Sequence, residues 1–331
     1  MRISDSERFV DSDIIGRMEK LRYAIIGAGA LGGLYGGLLA RAGFEVHFLF
    51  HSDYDYVVEH GLRVETKLGD FHLTDVHAHA SASTMPPCDV TIVGLKTTLN
   101  HLLDELLVPP TRDGGLVLCL QNGLGSEDAC VAVVGPDRVL GGCCFLCSNK
   151  VGPGHIRHID QGRIVFGEYG DRAIDVSSRV QRIADEMQSA GIDAHTTDDL
   201  PKTRWKKLMW NIPFNGLSVV LDASTKELVD DPDALALAES LVREVHAGAA
   251  ACGVHVPEKA IATTIDVTKV MVPYDSSMRL DFLAARPMEI DAILGNPIRA
   301  AAEAGFAMPR VESIYRQLKF LDRGRHRSTI P

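Results

Sequence analysis

No stretch of this 331-residue chain comes near the roughly 18 consecutive apolar residues that a membrane-spanning helix needs. The first 20 residues mix acids with bases instead of forming the apolar core of an export signal. A membrane protein is therefore not expected, and cytoplasmic residence is the default. Positive charge is scarce as well: 34 Lys and Arg face 44 Asp and Glu, for a formal net charge of −10. That balance argues against a nucleic-acid or anionic-membrane surface, although a small anionic substrate needs only a local basic pocket. Repeats of roughly 20 to 50 residues are missing, which disfavours a solenoid. Polar low-complexity tracts are missing too, and 46% hydrophobic with 24% charged residues is the composition of an ordinary globular protein.

Paired metal ligands are also lacking. Seven cysteines is an odd number, and Cys143, Cys144 and Cys147 crowd one apolar segment, GGCCFLC, with no second cluster to complete a tetrahedral site. Buried reduced thiols are the expectation. His77 and His79 form an isolated His-x-His, which reads as a solvated strand, so no metal is expected.

What is present is an alternation of strand-like and helix-like segments. Residues 1–17 lack periodicity and precede a second methionine, Met18, so residues 1–20 read as an N-terminal extension, frayed or owed to the choice of start site. From Leu21 the order is strand (LRYAII), glycine turn, helix (LYGGLLARA) and strand (FEVHFLF), a βαβ unit. Further strand-like runs occur at VTIVGL, GLVLCLQ, RVLGGCCFL and GRIVFGEY, with a helix at VSSRVQRIADEMQSAG. This pattern predicts an α/β fold with a Rossmann-type, doubly wound, mostly parallel sheet over residues 21–199. After the polar connector DAHTTDDLPKT the runs are helical, predicting an all-helical domain over 200–331.

Gly27-Ala28-Gly29-Ala30-Leu31-Gly32 is a G-x-G-x-x-G placed directly after a strand and opening a helix. The first glycine permits the tight turn, the second lets a diphosphate approach the backbone, and the third lets helix and strand pack closely. A dinucleotide site is expected there. The end of the second strand, which distinguishes the two nicotinamide cofactors, reads His51-Ser52-Asp53. His51 and Ser52 as phosphate donors favour NADP, while Asp53 keeps NAD open. Lys96 and Asn122 follow two later strand-like runs, where ligands bind in open α/β sheets.

The segment RWKKLMWNIPFNGLS carries a polar stripe on an apolar helix. At about 100° per residue, setting Lys207 at zero puts Asn211 near about 40°, Asn215 near about 80° and Ser218 near about 20°. Lys206 falls at about 260°, away from the stripe. A buried helix does not align a lysine and two amides unless they are paired or line a wet cleft. Pro213 removes a backbone hydrogen bond and is expected to kink the helix, so a cleft is the better reading. Pro287 suits the first turn of a later helix, with Glu289 near its N-terminus, and Ser277 opens the helix before it.

Taken together, GAGALG, LK at Lys96, QNGLG at Asn122, WKKLMWNIPFNGLS, and SSM followed by EID resemble the 2-dehydropantoate 2-reductase (ketopantoate reductase) family over residues 21–320. The resemblance implies NADPH-dependent reduction of 2-dehydropantoate to (R)-pantoate, on the route to pantothenate and coenzyme A. It implies Lys207 as catalytic acid, with Asn122, Asn211, Asn215 and Ser277 holding substrate. The glycine loop, His51, Ser52, Lys96, Asn122, Cys147 and Glu289 would face the cofactor. Two rival readings stand: a reductase of another 2-oxo acid, and a non-catalytic NADP-sensing regulator. Monomer and homodimer are both compatible with the sequence.

Overall fold

The computed structural model describes residues 19–170, 175–272 and 274–327. The N-terminal extension read over residues 1–20 therefore lies, up to Met18, outside the described residues.

Ten strands form one sheet: β1 (Tyr23–Ile26), β2 (Val46–Leu49), β3 (Leu62–Glu65), β4 (Phe71–Leu73), β5 (His77–His79), β6 (Val90–Val93), β7 (Leu116–Cys119), β8 (Val139–Gly152), β9 (His155–Glu168) and β10 (Ala194–Thr196). Their order is β4-β3-β9-β8-β7-β6-β1-β2-β5, with β10 beside β9. Pairings are parallel except at β3 with β4 and along the long β8–β9 hairpin. The central strands YAII and VTIV are buried throughout, as expected of parallel strands covered on both faces. Strand order reverses at β1, which lies between β2 and β6, so a crevice opens above their carboxyl ends.

Helix α1 (Ala30–Arg41) crosses from β1 to β2 and carries four glycines in twelve residues. Intrahelical glycine weakens a helix. Here it allows close packing, since a Cβ at Gly36 would come within 2.7 Å of Ile25 and Phe48 side chains. Helices α2 (Tyr54–His60), α3 (Leu103–Thr111), α4 (Ser126–Val134) and α5 (Ser178–Ser189) complete this half. Leu34, Leu38 and Ile183 pack on one face of the sheet, and Leu103, Leu107 and Cys130 on the other.

The remainder is helical: α6 (Leu200–Trp210), α7 (Gly216–Val220), α8 (Thr225–Asp230), α9 (Pro232–Ala251), α10 (Lys259–Val270), α11 (Ser277–Leu283), α12 (Asn296–Glu303) and α13 (Pro309–Arg327). A third apolar cluster, running from Trp205 to Leu318, surrounds α9, whose start is fixed by Asp231 accepting from two backbone amides.

Several local expectations need correction. The polar connector is shorter than its composition suggests, because Ala194–Thr196 joins the sheet and Asp199 caps α6, accepting from Lys202 N at 3.0 Å. Pro213, expected to kink the helix, falls inside a π-helix over Asn211–Asn215 that links α6 to α7, and the wider turn accommodates its missing donor. Beyond it the angular phase slips: Ser218 is fully buried against Ser276, their hydroxyls 2.8 Å apart, and Leu221 is exposed. Pro287 precedes the next helical segment instead of standing in its first turn.

Candidate active site

A cleft of about 690 Å³ runs between the glycine loop and the helical half. Gly27, Gly29, Ala30 and Leu31 line one wall, and Lys207, Asn211 and Trp210 line the other. The three motif glycines differ in their surroundings. A Cβ on Gly27 would lie 2.6 Å from Leu95 N, and one on Gly32 would lie 2.3 Å from Gly27 O. These two serve the turn and the packing. A Cβ on Gly29 would meet nothing within 4 Å, so this position is held open toward the cleft. An open backbone position at the start of a helix is what a diphosphate needs. Gly29→Val is therefore expected to leave the thermal unfolding midpoint nearly unchanged while abolishing dinucleotide binding measured by calorimetry. A large drop in stability with retained binding would contradict this division of labour.

Above the strand ends, polar groups from both halves meet. Lys207 Nζ donates to Asn122 Oδ1 at 2.7 Å, and Asn122 Nδ2 lies 3.4 Å from Glu289 Oε2. The other oxygen of Glu289 accepts from Thr97 N at 2.9 Å and from its hydroxyl at 3.0 Å. Lys96 Nζ pairs with Asp281 and lies 3.7 Å from Glu289. Glu289 stands immediately before Ile290, the first residue of a helical segment that continues as a π-helix over Asp291–Gly295. A carboxylate is favoured at such an end.

The loop carrying Asn122 is held from several sides. Leu124 N donates to Ala292 O at 2.9 Å, and Ser126 Oγ to Asn122 O at 3.0 Å. Gly123 sits at φ +90°, and a Cβ there would come within 2.3 Å of Ala292 O, so the loop closes only around glycine. Arg204, one turn before Lys207, is buried; its Nη1 donates to Gln121 O at 2.8 Å and its Nε to Glu127 Oε1 at 2.8 Å. Lys207 and its partner thus share one clamp.

Other expected site residues are distributed unevenly. Lys96, Asn122, Cys147, Ser277 and Glu289 line the cleft. Ser276 is the residue that caps α11, accepting from Arg279 N, and Ser277 is the first helical residue. Asn215 does not line the cleft: it is 1% exposed, and its Oδ1 has no partner among the described residues. The π-turn rotates it inward. His51 and Ser52 are exposed and lie outside the cleft lining, with Ser52 Oγ donating to Asp53. Lys206 is not turned away as the angular estimate implies, because the cleft also extends along α10 and includes Lys206, Lys259 and Thr264. Four lysines and one glutamate therefore line a cleft in a chain of net charge −10, a local basic surface suited to anions.

The cysteines are all free, and the cleft-lining pair is unreactive by environment: burial pushes Cys147 up to about 11 and Cys144 up to about 12. No group of three or more metal-ligating side chains occurs among the described residues. Among those residues, too, no helix is long and apolar enough to cross a membrane. Sequence reasoning missed Thr97, Asp281, Arg204 and Glu127. The two consecutive polar or charged positions on an apolar helix, Thr203-Arg204 ahead of Lys206-Lys207, were the available signal for Arg204.

Comparison with known proteins gives a consistent assignment. The family model described as ketopantoate reductase PanE/ApbA matches residues 23–171, and its C-terminal counterpart matches residues 199–322. A 2-dehydropantoate 2-reductase of Nostoc sp. is 49% identical over 313 residues, covering 94% of this chain and 98% of the relative. The crystal structure of the 2-dehydropantoate 2-reductase from Geobacter metallireducens superposes with a TM-score of 0.87 at 40% identity, covering 90% of this chain and 99% of that one. The corresponding enzyme from Methylococcus capsulatus gives a TM-score of 0.80 at 32% identity, with 92% and 98% covered. The glycine loop at the strand reversal, the lysine–asparagine–glutamate junction between two halves, and matches along nearly the whole chain place this protein in the ketopantoate reductase family.

Proposed function

We propose that the protein reduces 2-dehydropantoate to (R)-pantoate with NADPH, as a cytoplasmic step toward pantothenate and coenzyme A. The observation that carries this reading is the Lys207–Asn122 contact of 2.7 Å inside the cleft that also contains the Gly27–Gly29 loop. Family membership and the 49% identical Nostoc reductase support the substrate.

The cofactor supplies the hydride, and the remaining chemistry falls to this chain. As the ketone carbon accepts a hydride, negative charge develops on its oxygen, which must be stabilised and then protonated. A lysine ammonium has three donors, and Asn122 occupies one, which leaves two for the substrate and fixes their direction. Lys207 gives its proton to the oxygen, completing the alcohol, and is reprotonated from solvent. Asn211 and Ser277 line the same cleft and hold the hydroxyl and carboxylate ends of the substrate. Asn215, buried outside the cleft, has no direct part in this arrangement. Glu289, tied to Thr97 and Asn122, positions Asn122 and faces the reacting groups.

The test is loss of nicotinamide absorbance with NADPH and with NADH across a panel of 2-oxo acids. Preference for dehydropantoate by at least an order of magnitude is expected. Preference for another 2-oxo acid by that margin would reassign the substrate within the same chemistry. Dinucleotide binding with no turnover on any of them would favour a regulator instead.

A further inference from the structure

The β2–α2 loop is where a dinucleotide fold reads the ribose 2′ position. An acid there normally marks NAD by accepting from the ribose hydroxyls. Asp53 cannot play that part in this chain. Its Oδ1 accepts from Ser52 Oγ at 3.0 Å and from Lys150 Nζ at 2.7 Å, and its Oδ2 accepts from Lys150 Nζ at 2.9 Å and Gly154 N at 3.1 Å. A carboxylate offers about four lone-pair sites, so none is left for a ribose diol. Burial alone would raise its pKa, yet these donors outweigh burial and hold the carboxyl below its usual range. Asp53 is 5% exposed and acts as an anchor for the β8–β9 hairpin.

The hairpin it anchors touches the glycine loop as well. Ser148 Oγ donates to Ala30 O, at the first residue of α1, where the diphosphate belongs. Pairing with β9 is regular from Ser148 to Lys150, so these two share a face about 7 Å apart. This arm therefore runs from the first residue of α1 to Asp53, at the far end of the β2–α2 loop. Lys150 is 38% exposed, and of its three donors Asp53 engages two, one on each oxygen. One donor is left over on an ammonium that lies beside the β2–α2 loop, where His51 is exposed.

We propose that Lys150 reads the 2′-phosphate of NADPH, reaching from the β8–β9 hairpin to the β2–α2 loop, with Asp53 aiming it. This rests on the reading of the cleft as a nicotinamide-dinucleotide site.

The experiment measures calorimetric affinities for NADPH, NADH and adenosine 2′,5′-bisphosphate, without any 2-oxo acid, for the wild type and three variants. A charge-assisted contact of this kind is worth roughly 10- to 100-fold in affinity. The wild type is expected to prefer NADPH over NADH by at least that factor. Lys150→Met should lose most of the preference and most of the bisphosphate binding, with NADH affinity unchanged. Lys150→Arg should keep the preference. Asp53→Asn should leave NADH affinity unchanged, because the carboxylate does not touch the ribose.

Equal weakening of NADPH and NADH in Lys150→Met would make the residue merely structural and overturn the proposal. So would a preserved preference in that variant, or selective loss of NADH binding in Asp53→Asn. A wild type that binds neither dinucleotide would overturn the reading of the cleft as well. A wild type that binds both, with Lys150→Met discriminating as before, would overturn only the role of Lys150.

Discussion

Lys207→Ala is expected to lower turnover by roughly 10²- to 10⁴-fold while leaving dinucleotide affinity close to normal. On the proposed mechanism the size follows from removing both the proton and the positive charge at the substrate oxygen. The selectivity follows from position, because Lys207 reaches the cleft from α6 and bonds Asn122, whereas the glycine loop lies on the opposite wall. Lys206 is the internal control. It lines the same cleft, but its side chain has no hydrogen-bond or ion-pair partner among the described residues, so Lys206→Ala should change turnover far less. Steady-state kinetics on the two variants, with NADPH titrations, check both statements. Equal damage from the two substitutions would mean that the general acid has been assigned to the wrong lysine.

Breaking the Arg204–Glu127 pair should produce the largest loss of stability. Both side chains are buried, at 3% and 1% exposure, and Arg204→Met would leave a carboxylate with no counter-charge. Such a change costs about 3–5 kcal/mol. Removing both charges together is a different matter, since an apolar pair of similar volume is often neutral for stability. Arg204→Met combined with Glu127→Leu should therefore recover much of the unfolding free energy. Turnover should not recover with it. The guanidinium also donates to the carbonyl of Gln121 and approaches that of Gly123, on either side of Asn122, and the double variant lacks that clamp. Denaturant unfolding and kcat, measured on the single and double variants, separate the two roles. Full recovery of kcat in the double variant would show that the clamp has no part in positioning Asn122.

How far these features could be read from the sequence depended on how local they are. The glycine loop was legible because turn, helix start and flanking strand fall within about twenty residues of chain, and the structure places them at the strand reversal. That Lys207 and Asn211 share one cleft wall was legible because they stand four apart, on a stretch that still obeys ordinary helical phase. Asn215 and Ser218 lie in and beyond the π-turn, where one extra residue per turn spoils the arithmetic, and neither lines the cleft. The partners of the site were not legible at all. Lys96 finds Asp281 across 185 residues, Arg204 finds Glu127 across 77, and Lys150 finds Asp53 across 97. Composition shows that such charges exist but not which of them meet. The short strands β3 and β4 were missed for a related reason, since their apolar residues are few and their place depends on a distant hairpin.

That dependence has a consequence for synthesis of the chain. Strand β3 pairs on one side with β4, a few residues onward, but its other neighbour is β9, about 90 residues later in the chain. At roughly 5 to 20 residues per second, a ribosome needs roughly 5 to 20 s to make that interval. Throughout it the β3–β4 hairpin presents an open edge, and β8 acquires an edge of its own before β9 emerges to close both. A nascent chain halted between these strands should recruit a holding chaperone more strongly than one halted after Glu168, where the last gap between the two halves of the sheet has been filled.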